Sequence, residues 1–102
     1  VPAAFSPTEV VDMFSLGADI VKIFPAKTLG TGYFKAIQAP LGKLRLMAVG
    51  GVSSDNIRDF MNNGAQYAGI GSNMFRKKDI ENNNISGLRE SLAKFVEVIE
   101  DK

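Results

Sequence analysis

Lys22 lies inside the apolar run Ile20-Val21-Lys22-Ile23-Phe24, between the stops Gly17 and Pro25. A strand buried on both faces should be an unbroken apolar run, because an unpaired ammonium is costly to take out of water. The cation therefore needs a reason, and imine chemistry supplies one. With a side-chain period of two, Ile20, Lys22 and Phe24 share one face while Val21 and Ile23 share the other. Apolar neighbours disfavour the charged form, so such a lysine can fall from about 10.4 toward roughly 7 to 8, leaving free amine to attack a carbonyl. The competing reading is a strand-end lysine that snorkels to water or pairs with a carboxylate.

The second candidate is a pair of glycine turns, Gly50-Gly51 after Val49 and Gly71-Ser72 after Ile70. Glycine lets backbone N–H groups converge on an anion, and a helix N-terminus adds partial positive charge. Each turn alone reads equally well as a tight connection, Gly50-Gly51 leading into a helix capped at Ser53. Two such turns after adjacent parallel strands make a phosphate cradle the better reading. Arg76, Lys77 and Lys78 form a basic cluster that reads as a solvated loop, and Lys27 reads as a surface lysine able to assist a carboxylate or phosphate.

The elements that must position these residues alternate. Ser6-Pro7-Thr8-Glu9 is a capping box opening a helix that Gly17 ends. A strand follows from Ile20 to Phe24. A glycine-marked loop from Leu29 to Gly32 leads into a helix carrying Tyr33, Phe34, Ala36 and Ile37, ended by Pro40 and Gly42. The next strand runs from Leu44 to Val49. Ser53 or Ser54 caps a helix through Ile57, Phe60 and Met61 that Gly64 stops, and Tyr67 to Ile70 is a short strand. Asp79 to Asn84 reads as a polar surface loop. A last helix, capped near Ser86, is expected to bury Leu88, Leu92, Phe95, Val96 and Ile99. Phe14, Phe60, Phe95 and Met61 read as core.

Ser6, Gly17 and Ala18 recur 47 positions on as Ser53, Gly64 and Ala65. That spacing suits two β-α units of a repeating parallel barrel. Three strands and a stub at Val1-Pro2 predict an α/β chain, residues 1–102 as one unit covering roughly the C-terminal half of a (β/α)₈ barrel. Alone, it would expose two sheet edges, so either an upstream half or a second copy completes it.

The segments Val21-Lys22-Ile23-Phe24-Pro25-Ala26, Gly30 with Tyr33 to Ala36, Val49-Gly50-Gly51-Val52 and Gly69-Ile70-Gly71-Ser72 together resemble the 2-keto-3-deoxy-6-phosphogluconate aldolase family. The resemblance runs from Pro2 to about Arg76. It implies a class I aldolase on a (β/α)₈ barrel, with Lys22 as the Schiff-base residue and Gly50, Gly51, Gly71 and Ser72 holding the substrate phosphate. It further implies Phe24 and Val49 as substrate-binding residues. The products would be pyruvate and glyceraldehyde 3-phosphate, with no cofactor or metal and a homotrimeric assembly. Phosphogluconate-type members carry Thr-Gly-Gly where this chain has Val49-Gly50-Gly51. Val49 and Arg76 resemble the phosphogalactonate type instead, and 4-hydroxy-2-oxoglutarate cleavage occurs in the same family. The family's general base, a glutamate, and its carboxylate-binding arginine lie on early strands outside these residues. Two other readings stay open: a non-catalytic phosphate-binding half barrel, and another phosphosugar isomerase or synthase in which Lys22 acts electrostatically.

Composition excludes more than it selects. A chain of 102 residues, 45% hydrophobic and 23% charged with net charge +1, has no bias toward nucleic acid or anionic membrane. With no cysteine or histidine it has no thiol nucleophile, disulfide, usual zinc set or serine–histidine triad. The absence of a bilayer-length apolar stretch or signal-peptide pattern makes a cytoplasmic setting the default expectation.

Overall fold

The computed structural model describes residues 1–100 as four parallel strands interleaved with helices. The strands are β1 (Ala3–Ala4), β2 (Val21–Ile23), β3 (Leu46–Val49) and β4 (Tyr67–Gly69), hydrogen-bonded in the order β1-β2-β3-β4. The first strand falls just after the expected Val1-Pro2 stub, and the others are one or two residues shorter than their apolar runs. Sequential parallel neighbours joined through helices make this an α/β arrangement.

α1 (Pro7–Ser15) starts as its sequence dictates. Ser6 Oγ accepts from the Glu9 N–H, and the Glu9 carboxylate accepts from the Ser6 N–H at 3.0 Å. The Ser6 hydroxyl and amide hold the Glu9 carboxyl below its ordinary value of 4.5. A depressed carboxylate contributes stability that is fully present above its unfolded value and is lost as pH falls through the lower folded one. In circular dichroism from about pH 6 to about pH 3, the wild type is therefore expected to lose this cap's share of helical signal. Glu9→Gln, whose cap does not titrate, should not; identical titration curves would remove the cap from the account.

Alternation along the strands decides where the core sits. Val21, Ile23, Leu46 and Ala48 are fully buried on one face of the sheet. Helices α1, α3 (Gly32–Leu41), α4 (Ile57–Asn62) and α6 (Ile85–Glu100) cover that face through Val10, Phe34, Ile37, Ile57, Phe60 and Phe95. Phe34 and Phe60 meet edge to face at 5.5 Å. The opposite face carries Lys22, Met47 and Val49, all half-buried. Gln38 ties the helices to the sheet: its Nε2 donates to Phe34 O and Gly64 O, and its Oε1 accepts from the Leu44 N–H. α3 continues through Pro40 and closes at Gly42.

Four expectations are corrected by the structure. The expected polar loop after Asp79 is partly a helix, α5 (Lys77–Glu81), with Asp79 buried. Its carboxylate accepts from Arg76 Nε at 2.7 Å and from Asn84 Nδ2 at 3.1 Å, so a charge that reads as solvated is paired inside. Asn84, not Ser86, starts α6, its Oδ1 accepting from the Gly87 N–H. On α6 Phe95 is buried, whereas Leu92, Val96 and Ile99 are exposed, because the described elements meet only one side of that helix. Similarly, α4 begins after Asn56 and not at Ser53 or Ser54. No helix among the described residues is long and apolar enough to cross a membrane.

Candidate active site

Parallel pairing places Lys22 between Ala3 of β1 and Met47 of β3, on the sheet face away from the main core. Its own face is enclosed less than expected: Lys22 is half-buried, and Phe24, two residues on, is 51% exposed. The reason is architectural, since the buried helix residues pack with Val21, Ile23, Leu46 and Ala48 on the other face. The amine is thus accessible to a small molecule from the sheet surface, and it makes no ion pair among the described residues.

At the carboxyl ends of β3 and β4 lies a cleft of about 410 Å³. Phe24, Val49, Gly50, Gly51, Gly71 and Ser72 line it, so six of the seven sequence-derived site residues meet at one place. Lys22 is not part of its wall. Phe24 follows β2 directly, two residues past Lys22, with its N–H continuing the pairing to Ala4 O, so the two lie roughly 7 Å apart along the chain at the usual rise per residue. A substrate a few carbons long would bridge that separation.

The glycines of the two turns have different physical reasons. Gly50 and Gly51 have φ of 105° and 72°, the left-handed region that favours glycine. They are also crowded. A Cβ on Gly50 would lie 3.1 Å from Pro25 Cα and 3.1 Å from Phe24 Cδ2, beside the cis Phe24–Pro25 peptide. The short helix α2 (Ala26–Leu29), not foreseen from the sequence, docks here, with the Lys27 N–H donating to Gly50 O at 3.0 Å. At Gly71, by contrast, a Cβ would meet nothing within 4 Å. Packing against the described residues does not require glycine there, which is consistent with a backbone left bare for a ligand.

The amides of Gly50, Gly51, Gly71 and Ser72 donate to no acceptor among the described residues. Four free N–H groups at the wall of one cleft are the usual means of holding an anion. The helix contribution expected from the sequence is absent, since α4 begins only at Ile57. Asn56 replaces it as the organiser of the turn. Its Nδ2 donates to Gly51 O at 2.9 Å and its Oδ1 accepts from the Ser53 N–H at 2.8 Å. Neither Asn56 nor the wall residue Asn73 was singled out from the sequence. An Asn three positions after Ser53 was the available signal for the first, since such side chains fold back onto nearby backbone.

The family model for KDPG and KHG aldolases matches residues 1–90. The chain belongs to that aldolase family. Among its relatives, a protein of Rhizobium meliloti (strain 1021) named as a probable 2-dehydro-3-deoxy-6-phosphogalactonate aldolase is 41% identical over 76 residues. That match covers 74% of this chain and 36% of the relative. The 2-dehydro-3-deoxy-6-phosphogalactonate aldolase of Escherichia coli (strain K12) is 36% identical over 76 residues, covering 74% of this chain and 37% of that protein. A solved structure described as native KDPGal superposes with a TM-score of 0.84 at 30% identity, covering 98% of this chain and 47% of the other. This aldolase-family chain therefore spans less than half the length of the relatives it matches. Their names identify them as aldolases, which are lyases.

Proposed function

We propose that this chain carries the nucleophile and the phosphate site of a class I aldolase. The substrate is a 2-keto-3-deoxy-6-phospho sugar acid, cleaved to pyruvate and glyceraldehyde 3-phosphate. The observation that carries the reading is the placement of Lys22 two residues before Phe24, which lines a cleft with four free amides. The Lys22 amine attacks the substrate ketone, and loss of water leaves a protonated imine. The C3–C4 bond then breaks as a base outside the described residues takes the C4 hydroxyl proton. Its electrons pass to the imine nitrogen, releasing the aldehyde and leaving an enamine. Protonation at C3 and hydrolysis return pyruvate and the free amine. The four described strands would be half of a closed (β/α)₈ barrel, assembled as a homotrimer as the family resemblance implies.

Incubation with pyruvate and borohydride, followed by intact-mass measurement, tests this reading. A reduced pyruvate adduct on Lys22 supports it. If the full protein forms no adduct, the aldolase reading fails and phosphate binding alone remains.

Val49 supports a phosphogalactonate preference. It lines the cleft beside Gly69, whose lack of a Cβ makes room for the Val49 side chain, since a Cβ there would lie only 2.9 Å from Val49 Cγ2. A hydroxyl here would offer a hydrogen bond worth about 0.5 to 1.5 kcal/mol. Val49→Thr should accordingly shift the kcat/KM ratio toward the phosphogluconate epimer by about 2- to 13-fold. An unchanged ratio would take Val49 out of epimer selection.

A further inference from the structure

We propose that Lys27 supplies the cation of the phosphate subsite, an assignment that rests on the phosphate reading above. A phosphate monoester carries about −1.5 to −2 charges near neutral pH. The cleft offers it only backbone amides and uncharged side chains. Three of the cations beyond the β4 turn are already engaged, while Lys78 and Arg89 enter no ion pair among the described residues. Arg76 Nε lies 2.7 Å from Asp79, Lys77 Nζ is 3.7 Å from Glu81, and Lys94 Nζ is 4.0 Å from Asp55.

Lys27 differs from the three paired cations in two ways, and the second sets it apart from Lys78 and Arg89 as well. It is exposed and enters no ion pair among the described residues. Its stem is also held against the cleft wall. The Lys27 N–H donates to Gly50 O, and a Cβ on Gly51 would lie 2.6 Å from Lys27 Cβ and 2.8 Å from its Cδ. The side chain thus runs along Gly51, whose lack of a Cβ makes room for it, and the ammonium is two bonds past Cδ. An ammonium placed there reaches the anion as a charge-assisted donor while the glycine amides set its position. The competing role is a stem that merely covers the glycine turn, its head in water.

Lys27→Met separates the two, because it keeps the stem and removes the charge. Inorganic phosphate is titrated into the full protein labelled with ¹⁵N, following the amides of Gly50, Gly51, Gly71 and Ser72. Lys27→Met is expected to bind about tenfold more weakly, with Lys27→Arg close to wild type. Lys35→Ala on α3 serves as a control and should bind unchanged. Wild-type affinity in Lys27→Met would overturn the role of Lys27 while leaving the cradle intact. Failure of phosphate to shift the four amides in the wild type would overturn the cradle reading itself, and the assignment with it.

Discussion

Lys22→Ala is expected to abolish the borohydride-trapped pyruvate adduct and to lower kcat for carbon–carbon cleavage by about four orders of magnitude or more. Removing a covalent nucleophile eliminates the pathway and not just one of its contacts, and residual rates in such variants come from binding and polarisation alone. The fold should survive, because Lys22 is half-buried on the side of β2 away from Val21 and Ile23, which do the packing. Lys22→Arg is the decisive companion. A guanidinium stays charged at any accessible pH, so it keeps an electrostatic role and cannot form the imine. If Lys22→Arg retains cleavage within tenfold of wild type, the amine is not the nucleophile and an electrostatic role takes its place. KM for the phosphorylated substrate should change little in both variants, because the proposed phosphate site is at the glycine turns and not at Lys22.

Phe34→Ala should cost about 3 to 5 kcal/mol, the range for truncating a buried aromatic residue. Domains are stable by only about 5 to 15 kcal/mol, so this one change consumes a large share. Phe34 is fully buried on α3 and meets Phe60 of α4 edge to face, at 5.5 Å between centroids and 78° between planes. It therefore joins the helices that follow β2 and β3. Urea unfolding gives the midpoint shift at constant slope. Lys35→Ala, on the exposed side of the same helix, should stay within about 0.5 kcal/mol. A double-mutant cycle with Phe60 should leave about 0.5 to 1.5 kcal/mol of coupling beyond burial. A loss below about 1.5 kcal/mol for Phe34→Ala would show that the core tolerates a void there and that the ring pair does not organise it.

Local rules made much of this fold readable. The capping box at Ser6, the stop at Gly42 and the apolar runs around Lys22 and Ala48 each report a short-range preference. The structure follows them to within a residue or two. Local rules missed whatever depends on distant partners. Asp79 looks solvated until Arg76 and Asn84 close around it. Leu92, Val96 and Ile99 form a helical stripe, but only the side of α6 bearing Phe95 packs into the core beside α4. α2 was unreadable because four residues hold too little periodicity to register, and its place is set by docking on Gly50 and Gly51.

The same division holds at the candidate site. By itself the sequence determined which chemistry is available: one amine within an apolar strand, two glycine turns after consecutive strands, and neither thiol nor imidazole. These follow from residue type and spacing, which need no third dimension. Only the tertiary structure decided that Phe24, Val49 and both turns form one cleft, because parallel register aligns the strand ends. It also decided that Lys22 stands just outside that wall, and that packing requires glycine at Gly50 and Gly51 but not at Gly71. Those distinctions depend on which backbone approaches which, and segments far apart in the chain settle it.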